Sequence, residues 1–333
     1  MISTRTELIT SATHTRITLS RALNRGELTR VSKGHLLPTQ TWNNLHPNDQ
    51  HYVCILAHLN EYPANILAAQ SATIAWGISS LSPPRHVQVR GTGGGRRENI
   101  QRIQDTLTAD SPIVYTPEGI PTVTPLTAIT TCVKTLPFRD GLVLAESALQ
   151  RFAQEPDMLT YEELKKELSS ASGRGCRTAR LVGHELSPHS ESVAETCMRL
   201  LLDDQGIRYK QQETIIYEGH AYRVDFLLHA TNLHGRPVIL EVDGNVKYNA
   251  KEDLVREKNR QDRLLHAGYA VVRVSAKDAI TVRGGPCRCC VLLECPKFNR
   301  EKPHVFREAT KNVAFRNTCG FSASKEVSRE ATT

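Results

Sequence analysis

Hydrophobic and polar positions alternate along this chain in two rhythms, and the change from one to the other marks its parts. Near the start, Ile17, Leu19, Ala22 and Leu23 give a short apolar stripe at helical spacing, and Gly26 is a natural helix stop. Leu28 to Pro38 then reads as strand, turn at Gly34, strand: a hairpin. From His51 to Ile78 the period is helical, with Pro63 separating two helices, and His86-Val87-Gln88-Val89 alternates like a strand. Gly91 to Arg97 is expected to be a flexible basic loop, because it lacks the Gly-Lys-Ser/Thr ending of a phosphate-binding loop. Strands are expected at Pro112–Tyr115 and Ile120–Val123, and helices over Leu126–Leu136 and Gly141–Phe152. Thr160 and Glu163 form a capping box that opens a helix Tyr161–Leu168. The small, polar run Ser169–Thr178 is read as the end of the middle of the chain.

The last third has the richest pattern. A helix is predicted from about Ser190 to Asp203, with Ala194, Cys197, Met198, Leu201 and Leu202 as its apolar face and Glu195 at the border of that face. Strands follow at Ile215–Tyr217 and Tyr222–Leu228, joined by a turn at Glu218-Gly219-His220, and a third at Val238–Gly244. A second helix, Glu252–His266, carries Val255, Lys258, Asp262 and Leu265 at helical spacing, which turns Lys258 toward the sheet. On the same reading Arg256, Arg260 and Arg263 mark a basic outer strip. Tyr269–Val274 is a near-continuous apolar run, as in a strand covered on both faces. The order is helix, three strands, helix, strand, and the fold class is α/β (α+β).

Composition agrees with a folded chain: 333 residues, 39% hydrophobic and 23% charged, enough for two or three modest domains. The expected division is 1–50, 51–180, 187–278 and a tail 279–333. There is no apolar run of the roughly 20 residues that cross a bilayer, and Met1–Glu7 lacks the apolar core of a signal peptide, so a cytoplasmic protein without membrane partners is expected. The net charge of +7 is compatible with a polyanionic partner. Position matters more than the total. Arg16, Arg21 and Arg25 fall on the first helix, and Arg30 and Lys33 on the hairpin behind it. A basic helix followed by a basic hairpin is the pattern of a winged helix-turn-helix, which places its helix in the major groove of DNA and its wing on phosphates; the bland alternative is a small helix with solvated arginines. Of nine cysteines, Cys54, Cys132, Cys176 and Cys197 lie far apart and are expected as free thiols. Cys287, Cys289, Cys290, Cys295 and Cys319 crowd the tail without the paired spacing of a zinc site, so the tail is expected to be poorly packed.

The chemistry concentrates on three acids. Glu241 and Asp243 are two apart on one strand, so their side chains leave the same face, and Asp225 sits mid-strand on the neighbouring element. Converging carboxylates repel unless a cation neutralises them, and an all-oxygen set suits Mg²⁺ or Mn²⁺. Such ions activate water and stabilise the transition state of phosphodiester hydrolysis. Any one of these acids alone reads as a surface residue; the combination points to chemistry.

Ser190 through Glu195, Arg223-Val224-Asp225-Phe226, Glu241-Val242-Asp243-Gly244-Asn245-Val246-Lys247-Tyr248, Glu257-Lys258-Asn259-Arg260 and Gly268–Val274 together resemble a domain of unknown function (DUF559) similar to very-short-patch-repair (Vsr) endonucleases, in the PD-(D/E)XK superfamily. Upstream, the helix and hairpin, Ile120–Pro125 and the helices after it resemble actinobacterial proteins with a domain similar to the AbiEi antitoxin of type IV toxin–antitoxin systems. The resemblance implies a winged-helix-like N-terminal domain, a mixed AbiEi-like middle region and a C-terminal PD-(D/E)XK core of order α-β-β-β-α-β. It implies Asp225 and Glu241 as core metal ligands, with Asp243 a further acid and Glu195 the helix carboxylate. The generic Glu-x-Lys is not kept, because Asp243 stands at the lysine position, so that role passes to Lys247 or Lys258. The function expected is a Mg²⁺- or Mn²⁺-dependent endodeoxyribonuclease directed by its N-terminal domain. The alternative is a non-enzymatic DNA-binding regulator, antitoxin-like, with a degenerate nuclease domain and with a toxin or a second copy of the chain as partner. RNA as substrate lacks an aromatic platform for single strands.

Overall fold

The computed structural model of the chain describes residues 9–10, 16–91, 96–97, 100–104, 112–232, 234–244 and 251–281. At the N-terminal end, β1 (Ile9–Thr10), α1 (Arg16–Asn24), β2 (Leu28–Ser32) and β3 (His35–Pro38) form a helix against a three-stranded antiparallel sheet of order β1-β3-β2. Gly26 ends α1 and Gly34 makes the hairpin turn, both in the left-handed region (φ 72° and 80°) that glycine adopts without strain. Leu19 and Ala22 of α1 and Leu36 and Leu37 of β3 are buried, whereas Ile17, expected in the apolar stripe, is 65% exposed. Then come α2 (Thr39–Asn44) and α3 (Pro47–Glu61).

The middle of the chain holds α4 (Ala69–Ala75), β4 (Val87–Arg90), β5 (Arg96–Arg97), β6 (Ile100–Ile103), β7 (Ile113–Tyr115) and β8 (Pro121–Val123), then the helices α5 (Pro125–Thr135), α6 (Phe138–Arg151), α7 (Tyr161–Ser169) and α8 (Cys176–Glu185). One expectation is corrected here. Arg96 and Arg97 do not lie in a loop but form β5, antiparallel to β6. Within the small, polar run Ser169–Thr178, α8 opens at Cys176 behind Gly175. Gly175 has φ 77°, and a Cβ there would lie 2.1 Å from the carbonyl oxygen of Lys134, so α8 meets α5 at a point where only glycine fits. The capping box at Thr160 and Glu163 is formed, with both reciprocal hydrogen bonds present.

The C-terminal part runs α9 (Val193–Asp204), β9 (Tyr209–Tyr217), β10 (His220–Thr231), β11 (Pro237–Asp243), α10 (Lys251–His266), β12 (Ala270–Ser275) and α11 (Ala276–Thr281). Helix, three strands, helix and strand thus follow in the order read from the sequence. The sheet order is β12-β11-β10-β9; β9, β10 and β11 are antiparallel, and β12 joins β11 in parallel. Glu218 and Gly219, both at positive φ (50° and 74°), make the tight β9–β10 turn. One sheet face packs Phe226, Leu228, Val238 and Leu240 against Met198, Leu201 and Leu202 of α9 and Ala279 of α11. The other packs Ile215, Tyr222, Val224 and Ile239 against Leu264 of α10. β12 is an edge strand and most of it is only half-buried, not covered on both faces as its apolar run suggested.

The face of α10 is also corrected. Val255 and Leu265 are 57% and 37% exposed and Lys258 is exposed, while Leu264 is fully buried and Glu257 and Arg260 are half-buried. Arg260 therefore does not belong to an outer strip, and Arg263 donates to the Tyr222 hydroxyl (3.0 Å). Among the described residues no helix is long and apolar enough to cross a membrane.

A buried ion pair joins the C-terminal part to the helices before it. Glu146 of α6 accepts from Arg199 of α9 (2.5 Å), from the Thr196 hydroxyl (2.8 Å) and from the Ser187 backbone N–H (2.9 Å). Arg139 adds bonds to the Ala279 and Ile280 carbonyls, so α11 is fixed past Asp278. Glu146→Ala leaves Arg199 buried without its partner and is expected to cost about 3–5 kcal/mol. Urea unfolding measures this, and a loss under about 1 kcal/mol would show the pair to be dispensable.

Candidate acidic site at the end of the sheet

Side chains of equal parity stay on one face of a regular strand. Yet Tyr222 and Val224 pack on the α10 side and Phe226 and Leu228 on the α9 side. β10 therefore switches faces at Asp225. β9 switches with it, since Ile215 and Tyr209 lie on opposite sides and Gln212 between them has φ 53°. The switch turns the Asp225 carboxylate toward β11, where Oδ2 accepts from the Val242 backbone N–H at 2.8 Å, next to Glu241. Opposite the switch, Gln212 donates to Oε2 of Glu195 (2.9 Å), which also accepts from the Glu191 N–H (2.9 Å). Glu195 stands in the first turn of α9, where Ser192 caps it by accepting from its N–H (3.1 Å), a favourable place for negative charge.

These carboxylates act on one another. Burial pushes the Asp225 carboxyl up to about 6; the Val242 N–H opposes the shift, Glu195 and Glu241 add to it, and Arg260 opposes it. Asp243 is likewise raised by burial, against the pull of Arg273. It is half exposed and 4.0 Å from Arg273, so Glu241 and Asp243 do share a strand face.

Glu241 is buried, and two guanidinium groups hold it. Arg260 of α10 donates to Oε1 at 2.5 Å and also to the Arg223 carbonyl at 2.9 Å. Arg273, beside Glu241 in the parallel β11–β12 register, brings Nε to 3.4 Å from Oε2 without hydrogen-bond alignment. Glu257 bridges the two, pairing with Arg260 Nη1 at 3.3 Å and with Arg273. Sequence reasoning missed Arg260, Arg273, Glu257 and Gln212 as parts of this centre. A signal existed for two of them: Arg273 interrupts the apolar run Ala270–Val274, and Arg260 lies one turn before Leu264.

The lysines expected at this centre stand as follows. Lys258 is exposed on the outer side of α10, not turned toward the sheet, and Lys247 lies outside the described residues, as do all five tail cysteines. Cys54, Cys132, Cys176 and Cys197 are free thiols. Among the described residues no group of three His, Cys, Asp or Glu is placed to hold a metal ion. Mg²⁺, however, is commonly bound through only one or two carboxylates, with water and substrate phosphate completing its shell. Asp225 and Glu241 fit that smaller demand in donor chemistry, provided Arg260 gives up Glu241. On the N-terminal unit Arg21, Arg30 and Lys33 are exposed, and Arg25 lies just past the end of α1, paired with Glu27 at 2.7 Å. The side chain of Arg16 is outside the described residues.

No family pattern and no curated protein sequence matches this chain. Among solved structures, it is similar to the RV2827C protein from Mycobacterium tuberculosis, with a TM-score of 0.30 and 14% identity over 65% of this chain and 85% of that one. A likeness at that score says nothing about fold or activity.

The raised Asp225 carboxyl has a pH signature. Its folded value, about 6, exceeds the roughly 3.9 of an unfolded aspartate, so its stabilising share is complete below pH ~4 and is lost as pH rises through ~6. Asp225→Asn, neutral at every pH and still able to accept from Val242, is expected to be more stable than wild type at pH 7–8. The gain is about 1–2 kcal/mol after solvent screening, and it vanishes near pH 4. Thermal melts across this range test it, and an equal loss at all pH values would contradict it.

Proposed function

We propose that the chain is a divalent-metal-dependent endodeoxyribonuclease of the PD-(D/E)XK type, with a Vsr-like (DUF559) core spanning 187–278, brought to DNA by its winged-helix-like N-terminal unit. One observation carries the reading. The β9–β10 face switch sets the Asp225 carboxylate beside Glu241, with Glu195 near enough to raise its pKa further, which leaves Asp225 a desolvated acid that a cation would relieve. Asp225 and Glu241 would hold Mg²⁺ or Mn²⁺. Bound there, the ion supplies Lewis acidity for water activation and neutralises phosphate charge. Glu195, anchored by Gln212, sets a further carboxyl group near Asp225, and Asp243 extends the acidic face toward solvent. The helix–hairpin unit offers Arg21, Arg30 and Lys33 for phosphate contacts; its β1-β3-β2 sheet with a Gly34-turned hairpin suits a wing.

A second reading rests on a different observation: the guanidinium groups already neutralise Glu241, and aspartate stands at the generic lysine position. It makes the chain a non-enzymatic DNA-binding regulator of antitoxin-like kind, with a toxin or a second copy as partner and the acidic centre as scaffold.

Incubating supercoiled plasmid with the full chain and Mg²⁺ or Mn²⁺ separates the two. Cleavage is expected, abolished by EDTA and reduced at least about 100-fold by Asp225→Ala or Glu241→Ala. A wild type inert with every divalent ion would leave the regulator reading. For delivery, Arg21→Ala with Arg30→Ala is expected to weaken duplex binding and to lower the salt slope by about 1 for each phosphate no longer neutralised. Arg25→Ala should do less, because Glu27 already pairs with it. Unchanged affinity in the double variant would move recognition elsewhere.

A further inference from the structure

Where the generic Glu-x-Lys places a cation two residues after its glutamate, this chain has Asp243, and α10 turns Lys258 to solvent. Two cationic groups stand beside Glu241 instead, Arg260 from α10 and Arg273 from β12. We propose, building on the nuclease reading above, that Arg260 is the positioning cation of this centre: it neutralises Glu241 in the metal-free protein and turns to the substrate's phosphate when a divalent ion takes the carboxylates.

The geometry suits both positions. Arg260 lies one turn before Leu264, the α10 side chain fully buried against the sheet, so its stem is fixed while its head reaches the sheet end. Its side chain is 27% exposed, open enough to meet a ligand. A guanidinium has five N–H donors in a planar fork that matches phosphate oxygens two at a time. Here the acceptors are Glu241 Oε1, Glu257 Oε1 and the Arg223 carbonyl. Arg273 is placed differently. Glu257 and Asp243 flank it as well as Glu241, and it sits on the edge strand, which suits a fixed counterion that holds Glu241 in place after Arg260 leaves. With Asp225, Glu241, Asp243 and Glu257 around two guanidinium groups, acids remain in excess, and departure of Arg260 leaves Arg273 alone beside Glu241.

The test uses the full chain and Mn²⁺ alone as probe, with affinity read by calorimetry without DNA and single-turnover cleavage read separately. Arg260→Gln removes the competing charge, so Mn²⁺ is expected to bind about tenfold more tightly, the fold-change of one moderate ion pair. Cleavage is expected to fall by about 100-fold or more. Arg260→Lys keeps the charge without the fork, with Mn²⁺ affinity near wild type and cleavage between the two. A merely structural arginine would also free Glu241 for the metal when removed, but would not slow cleavage by a protein that still folds and binds Mn²⁺; tighter binding together with lost cleavage marks the proposed role. Unchanged or weaker Mn²⁺ binding in Arg260→Gln, or cleavage at the wild-type rate, overturns the role of Arg260 while leaving the nuclease reading intact. A wild type that neither binds Mn²⁺ nor cleaves overturns both. If Arg260→Gln melts before assay temperature, Arg260→Lys decides: wild-type cleavage by it overturns the proposal, and a clear loss with unchanged Mn²⁺ affinity supports it.

Discussion

The centre of this molecule depends on one constraint: a carboxylate, Glu241, buried at the end of a β-strand, must be matched by positive charge. Burying an unpaired carboxylate costs several kcal/mol, so the fold around it is arranged to supply cations. Arg260 comes from the helix on one face and Arg273 from the neighbouring parallel strand, with Glu257 tying the two together. Structure and site meet here. α10 is strongly polar, and Leu264 with the Arg260–Glu241 and Arg263–Tyr222 contacts fastens it to the sheet. Whatever competes for Glu241 therefore acts on the seating of α10 as well.

The second determinant is backbone geometry. Asp225 would lie on an ordinary strand face if β9 and β10 were regular. Their shared change of face, with Gln212 at positive φ, turns its carboxylate to the Val242 N–H and places Glu195 of α9 within electrostatic reach. A non-glycine residue held at positive φ costs of order 1 kcal/mol, and such positions concentrate where a side chain has to be aimed. Gln212 also supplies the hydrogen bond that steadies Glu195, so one residue sets both the bend and the acid opposite it.

Much of this part of the fold was legible in sequence. The period-two spacing of Glu241 and Asp243, the Glu218-Gly219 turn and the apolar face of α9 were read from local pattern, because each is decided within a few residues. The interior of α10 was not. Val255 and Leu265 suggested an apolar face, yet they are exposed, and the residues that face the sheet are Glu257, Arg260 and Leu264. Their partners sit on β11 and β12, and the pairing of Glu241 with Arg273 exists only once two distant strands lie side by side. α8 was missed for a related reason: it begins directly after a small, polar run, and its start is set by the close approach of Gly175 to Lys134 on α5. In both cases the deciding neighbour is remote along the chain.

The most direct measurement of a metal at this centre is anomalous scattering from a crystal of the full chain soaked in Mn²⁺. The expected result is a peak within about 2.5 Å of carboxylate oxygens of both Asp225 and Glu241, with the Arg260 guanidinium withdrawn from Glu241. Glu241 still gripped by Arg260 with no peak beside Asp225, at a Mn²⁺ concentration that supports plasmid cleavage, would contradict it.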